Sequence, residues 1–190
     1  ATMNTGTVYF SKNMPVNHLA INQVWYFIYS MDRNPAEKNP YQFMNSDKAK
    51  RIYESYFNKT DSSQNILKTN RPNVIIVLME SFESDITNSL GKRKNITPCF
   101  DSLIDEGVLF SNMIATGTRT DKGLISVLCG YPAQSVQPII KFTKKIEKLP
   151  AISKTLSKFG YTNYFFYGGN KQFTNMNSLL VSSGFDKVVD

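Results

Sequence analysis

Pro72-Asn-Val-Ile-Ile-Val-Leu-Met-Glu80 is the stretch on which the fold turns. Val74 to Met79 is an unbroken apolar run, and its first four residues are β-branched. Such a run predicts a strand buried on both faces, as in a parallel sheet covered by helices. The run ends in Glu80. A carboxylate at the C-terminal end of a central strand stands where open α/β sheets place their ligands.

Outward from that strand the pattern alternates. Thr97-Pro98 opens a helix in good N-terminal order and Gly107 closes it. Val108 to Ala115 reads as a strand, Pro150 to Phe159 as a helix stopped by Gly160, and Tyr161 to Tyr167 as a strand stopped by Gly168-Gly169. Met176 to Ser183 is a helix stopped by Gly184, and Lys187 to Asp190 reads as the start of another strand. Strand, helix, strand, helix, helix, strand, helix, strand is an α/β order with a mainly parallel sheet. Stopping as a strand begins predicts an incomplete domain.

Residues 1–70 differ. Val16 to Met31 has a wide apolar face and predicts a helix that packs on a neighbour, and Asp47 to Asn58 predicts a second helix. Asp32 to Pro40 is a polar loop with two prolines, and Lys59 to Arg71 reads as a linker. The expected division is therefore a helical linker region, 1–70, and an α/β region, 71–190. Asn58-Lys-Thr and Asn95-Ile-Thr fit the glycosylation sequon, a short pattern that recurs by chance.

Thr116-Gly-Thr-Arg-Thr-Asp-Lys-Gly-Leu-Ile-Ser-Val-Leu-Cys-Gly130 carries the chemistry. Leu124, Ile125, Val127 and Leu128 have helical spacing, Gly130 is a stop, and Thr120 falls at the N-cap. A hydroxyl there faces free backbone N–H groups and the positive end of the helix dipole, a setting that suits phosphate. The same residue also serves as an ordinary cap.

The 190 residues are 41% apolar and 13% aromatic, which is globular, and the net charge of +7 favours an anionic partner. Nucleic acid is set aside, because the lysines are dispersed and no finger, recognition-helix or RNP-like pattern is present. The lysines between Lys141 and Lys158 read as a solvated face. Cys99 and Cys129 form no metal or disulfide pattern and are expected to be buried thiols. His18, the one histidine, excludes a His-dependent triad or an all-His metal site within the chain and reads as structural. No apolar run approaches 20 residues. Since the chain opens with Ala-Thr-Met-Asn, it is expected to be part of a longer protein whose targeting or membrane segments lie outside it.

Taken together, Pro72 to Glu80, Thr97-Pro98 with its helix to Gly107, and Val108-Leu-Phe-Ser-Asn112 resemble the opening of the sulfatase and alkaline-phosphatase-like superfamily. That family begins with Pro-Asn, an apolar strand and an acidic metal ligand, then Thr-Pro-Asn-Leu-Asp and Gly-Val-x-Phe. Its nucleophile precedes a helix-closing glycine by ten residues, so Gly130 puts the slot on Thr120. Threonine there departs from sulfatases proper and looks like the lipoteichoic acid synthase branch, the phosphoglycerol transferases. Phosphoethanolamine transferases are also similar. Phe166-Tyr-Gly-Gly-Asn-Lys-Gln-Phe-Thr-Asn175 and Ser183-Gly-Phe-Asp186 are closest to the phosphoglycerol transferases. Where lipoteichoic acid synthases hold the glycerophosphate head with Trp and Arg, this chain has Thr174 and Met176.

The resemblance implies a membrane-anchored enzyme working outside the cytoplasmic membrane on an anionic lipid or phosphate-bearing glycopolymer. A Thr hydroxyl needs activation, and the implied agent is a divalent metal on Glu80, Thr120 and an Asp-His pair from beyond Asp190. Oxygen ligands with one imidazole suit Mn²⁺, with Mg²⁺ and Zn²⁺ as alternatives. Thr120 would attack a lipid-linked phosphodiester, diacylglycerol would leave, and a polymer-end hydroxyl would take the group. Arg119 and, more weakly, Lys122 would offset phosphate charge. With two of the implied ligands present, the chain alone is expected to be inactive. The alternatives are a sulfatase or phosphodiesterase hydrolase on the same fold, and a non-catalytic module that binds anionic glycopolymer or lipid.

Overall fold

Leu124, Ile125 and Leu128 share one helical face by their spacing, and all three are buried. They anchor a computed structural model that describes residues 4–32, 42–57, 66–134 and 137–190. Its α-helices are α1 (Met14–Ala20), α2 (Gln23–Asp32), α3 (Ser46–Tyr56), α4 (Pro98–Glu106), α5 (Thr120–Cys129), α6 (Thr143–Ile146), α7 (Ile152–Lys158) and α8 (Met176–Ser183). Its strands are β1 (Tyr164–Phe166) and β2 (Lys187–Val189). Contacts divide the chain into two units, Ala1–Gln23 with Glu80–Asp190, and Val24–Met79.

In the first unit β1 and β2 pair in parallel, Tyr164 opposite Lys187 and Phe166 opposite Val189, with α8 on the crossover. Parallel strands need such a crossover, and the β–α–β unit is the α/β signature expected from the sequence. Asp186 starts β2 by locking onto the residue before β1. Its carboxylate accepts the Asn163 backbone N–H at 2.8 Å, and its own N–H donates to Asn163 O at 2.8 Å. That backbone donor, helped by Lys12 at 2.8 Å, lowers the Asp186 pKa below the usual carboxylate value.

The core lies between α5 and α8. Ile125, Ile140, Ile146, Leu179 and Leu180 are 0–1% exposed and form one cluster with Met176, Leu124 and Leu128. Cys129 joins it, and burial pushes its thiol pKa up, so it packs as a small hydrophobe. Gly130 ends α5 at φ +62°, the left-handed conformation that a C-terminal glycine adopts without a Cβ penalty.

Residues 4–21 pack as a strap on this core. Asn177 Nδ2 donates to Gly6 O at 2.8 Å and to Tyr9 O at 2.6 Å, and Gly6 N donates to Asn175 Oδ1 at 3.2 Å. Tyr9 OH and His18 Nε2 share Glu147 Oε1, at 2.5 and 2.9 Å. The lone histidine therefore has the structural role read for it.

Several expectations are corrected. Asn73–Met79 and Val108–Ala115 form no strand, and their apolar side chains are exposed, Ile75 at 88%. A strand exists only as part of a ladder, and among the described residues β1 and β2 alone supply one. The helix expected over Val16–Met31 is broken at Ile21, whose extended backbone (φ −74°, ψ 131°) lets its side chain be buried. Both cysteines are free as expected, but Cys99 is exposed, because it sits in the first turn of α4 away from the half-buried Phe100 and Ile104. The Asn58 sequon lies outside the described residues.

Replacing Asn177 by Ala leaves the Gly6 and Tyr9 carbonyls without their shared buried donor. The expected loss is about 1–3 kcal/mol, read from the urea midpoint at unchanged m-value. An unchanged midpoint would mean that the strap contributes nothing to folding.

Candidate active site at the start of helix α5

The loop before α5 is shaped by Gly117. A Cβ there would meet Lys122 Cβ at 2.8 Å and Ala133 Cβ at 3.1 Å, so only glycine lets the loop lie against the first turn. Arg119 is the extended N-cap residue (φ −137°, ψ 151°), and Thr120 is the first helical residue. Thr120 is thus one position inside the N-cap place expected for it, a shift within ordinary boundary variation. Ser126 braces the helix: its hydroxyl donates to Tyr131 O at 2.9 Å and accepts from the Thr116 hydroxyl at 2.7 Å. One side chain therefore ties both flanks of the stretch.

Thr120 Oγ1 donates a hydrogen bond of 2.5 Å to Glu80 Oε1, across 40 residues of sequence. Thr120 is half-buried and Glu80 exposed. Directly after Glu80, Ser81 adopts φ +55°, a conformation uncommon for a residue with a side chain and costing about 1–2 kcal/mol. Such strain is common where a chain must aim a functional group. No pattern in the sequence marked Ser81.

The sequence-expected residues are thus placed as follows. Glu80 and Thr120 are brought together. Arg119 immediately precedes Thr120 with its side chain exposed, and Lys122 is half-buried on the first turn of α5. Asp121, which sequence reasoning passed over, lies on that turn with its Oδ1 enclosed and no hydrogen-bond partner among the described residues. Among the described residues no group of three or more His, Cys, Asp or Glu could hold a metal. The donor set at hand is one carboxylate and one hydroxyl oxygen, two ligands whose hard character fits a divalent cation.

A sulfatase family profile matches residues 72–190, from the start of the Pro72–Glu80 stretch through α5 to β2. The chain belongs to the sulfatase family. It is 28% identical over 144 residues to a lipoteichoic acid synthase-like protein, YvgJ, of Bacillus subtilis, covering 74% of this chain and 23% of that protein. It is 30% identical over 129 residues to lipoteichoic acid synthase 2 of the same organism, covering 65% of this chain and 19% of the relative. Among solved structures, a protein of the alkaline phosphatase superfamily from Vibrio parahaemolyticus superposes with a TM-score of 0.67 at 30% identity, over 78% of this chain and 39% of that one. The chain thus spans about a quarter or less of the length of these curated relatives. Its α/β fold is that of the alkaline phosphatase superfamily, and within it the chain is similar to lipoteichoic acid synthase-type proteins.

Ser126→Ala removes the brace between Thr116 and Tyr131. We expect a stability loss of about 1 kcal/mol and faster amide exchange in 116–123, read by hydrogen exchange; equal protection would show that the loop is held by Gly117 packing alone.

Proposed function

We propose that this chain is the N-terminal part of the catalytic region of an extracytoplasmic phosphoglycerol transferase-like enzyme, with Thr120 as nucleophile. The observation that carries the reading is the 2.5 Å contact of Thr120 Oγ1 with Glu80 Oε1 at the start of a helix. The likeness to two lipoteichoic acid synthase-type proteins supports the substrate class, a lipid-linked phosphodiester.

In this reading Glu80 and Thr120 would hold a divalent metal, Mn²⁺ by donor preference. When bound, the metal lowers the pKa of a coordinated hydroxyl and offsets charge at phosphorus. Glu80 orients Thr120 Oγ1 by accepting its hydrogen bond. Thr120 Oγ1 then bonds to phosphorus, the bond from phosphorus to the lipid oxygen breaks, and the hydroxyl proton ends on the departing lipid alcohol. Free N–H groups in the first turn of α5 and the helix dipole favour the phosphoryl oxygens beside Thr120. Arg119, permanently cationic, lies one residue away to pair with the phosphate. An alcohol then takes the group from Thr120; water in that place would make the enzyme a hydrolase.

Among the described residues no helix is long and apolar enough to cross a membrane. Likeness to the lipoteichoic acid synthase-type proteins supports the reading that the full-length protein is anchored to the membrane.

The full-length protein, quenched with its lipid substrate, is expected to carry a glycerophosphoryl mass addition on the peptide containing Thr120. Thr120→Ala is expected to lose the adduct and at least about a thousandfold in turnover. Full activity in Thr120→Ala with no adduct in the parent protein would remove the nucleophile from this position.

A further inference from the structure

The turn that runs into α6 and out again carries a charge that the site at α5 does not use. Burial divides its side chains into two faces. Ile139, Ile140, Thr143 and Ile146 are buried, whereas Lys141, Lys144, Lys145 and Lys148 are exposed. Lys141, Lys145 and Lys148 have no ion-pair partner among the described residues. Lys145 lies instead over the Phe142 ring, 4.8 Å from its centroid.

An ordinary solvated face mixes charges of both signs. Here the strap and the turn, residues 4–21 and 138–158, contain one acidic residue between them, Glu147. Its side chain is only 15% exposed, and its carboxylate accepts from the Tyr9 hydroxyl at 2.5 Å and meets His18 Nε2 at 2.9 Å. The strap thus occupies the one carboxylate that could offset the lysines. It also brings apolar surface. Phe10 and Leu19 directly follow the two residues bonded to Glu147, and they are 70% and 83% exposed.

Clustered lysines are drawn to the phosphates of an anionic leaflet, and their apolar stems suit its boundary. Exposed aromatic and aliphatic side chains near such a cluster gain by entering the headgroup region. A hydrated polyanion would use the lysines and leave Phe10 and Leu19 in water, so the combination fits a lipid surface better than a soluble polymer.

We infer that Lys141, Lys145 and Lys148, with Phe10 and Leu19, form a face that docks the folded region on a bilayer containing anionic lipid. Ile139 and Ile140 join the turn to the same core as α5, so docking would set the direction of α5 relative to the lipid. That holds whether or not Thr120 is the nucleophile.

The test is sedimentation of the 190-residue chain with lipid vesicles. Vesicles of phosphatidylcholine with about 30% phosphatidylglycerol are expected to bind it at low salt at least about tenfold more tightly than phosphatidylcholine alone, and high salt should remove the difference. Each lysine beside an anionic leaflet is worth about fivefold in affinity, so Lys141→Gln, Lys145→Gln and Lys148→Gln combined should lose about a hundredfold. Phe10→Ser with Leu19→Ser should lose about tenfold and keep the salt dependence. An unchanged urea midpoint shows that a variant is folded; if the triple variant is not, Lys145→Gln alone, expected to lose about fivefold, takes its place. Equal binding to both vesicle types would overturn the inference, as would full binding to the acidic vesicles by the folded lysine variant. Capture of inorganic polyphosphate through the same lysines, with no vesicle binding, would also overturn it and assign the face to a soluble polyanion.

Discussion

The burial of one face of α5 is the constraint on which the rest depends. Leu124, Ile125, Leu128 and Cys129 enter the same core as Leu179 and Leu180 of α8. Truncating one of the fully buried leucines to alanine would cost on the order of 2–5 kcal/mol, so the helix cannot slide or rotate without a large loss. Its first turn is therefore fixed in space, and Thr120 with it. Gly130 stops the helix at one end, and Gly117 lets the loop close on the other. A helix held this way gives Thr120 a defined direction, toward Glu80, at no expense to the site itself.

Helices of the α/β region were legible because their signals are local. Pro98 and Gly107 bracket α4, Gly130 ends α5, and Gly184 ends α8 at φ +80°, each where the sequence placed it. Strands were less so. β1 and β2 lie within the segments expected for them, but Asn73–Met79 and Val108–Ala115 have strand composition and no ladder among the described residues. Composition is a property of a segment, whereas pairing depends on residues distant in sequence. The break at Ile21 follows the same logic, since burial of that side chain is a tertiary fact.

The site divides likewise. Ten-residue spacing to Gly130 and the family pattern pointed to Thr120, and the end of the apolar run pointed to Glu80. That their side chains meet at 2.5 Å is visible only in three dimensions. Ser81 and Asp121 were not legible, because a positive φ at serine and an enclosed carboxylate leave no periodic trace. The strap of residues 4–21 was also hidden. Its bonds run from Asn17, Asn175 and Asn177 to backbone groups, and asparagines in a sequence look the same whether they cap, turn or bridge. Through Asn175, which also donates to Ile140 O at 3.3 Å, the strap supports the short helical turn that packs against α5.

The account stands on Glu80 and Thr120 acting as one unit, a hydrogen-bonded hydroxyl and carboxylate that would together hold the proposed cation. Manganese binding by the full-length protein, followed by the loss of the free-ion paramagnetic resonance signal, tests that unit directly. Glu80→Gln, which keeps size and fold but halves the carboxylate's oxygen donors and removes its charge, should weaken Mn²⁺ binding by at least about tenfold. An affinity equal to that of the parent protein would contradict the pairing on which the account rests.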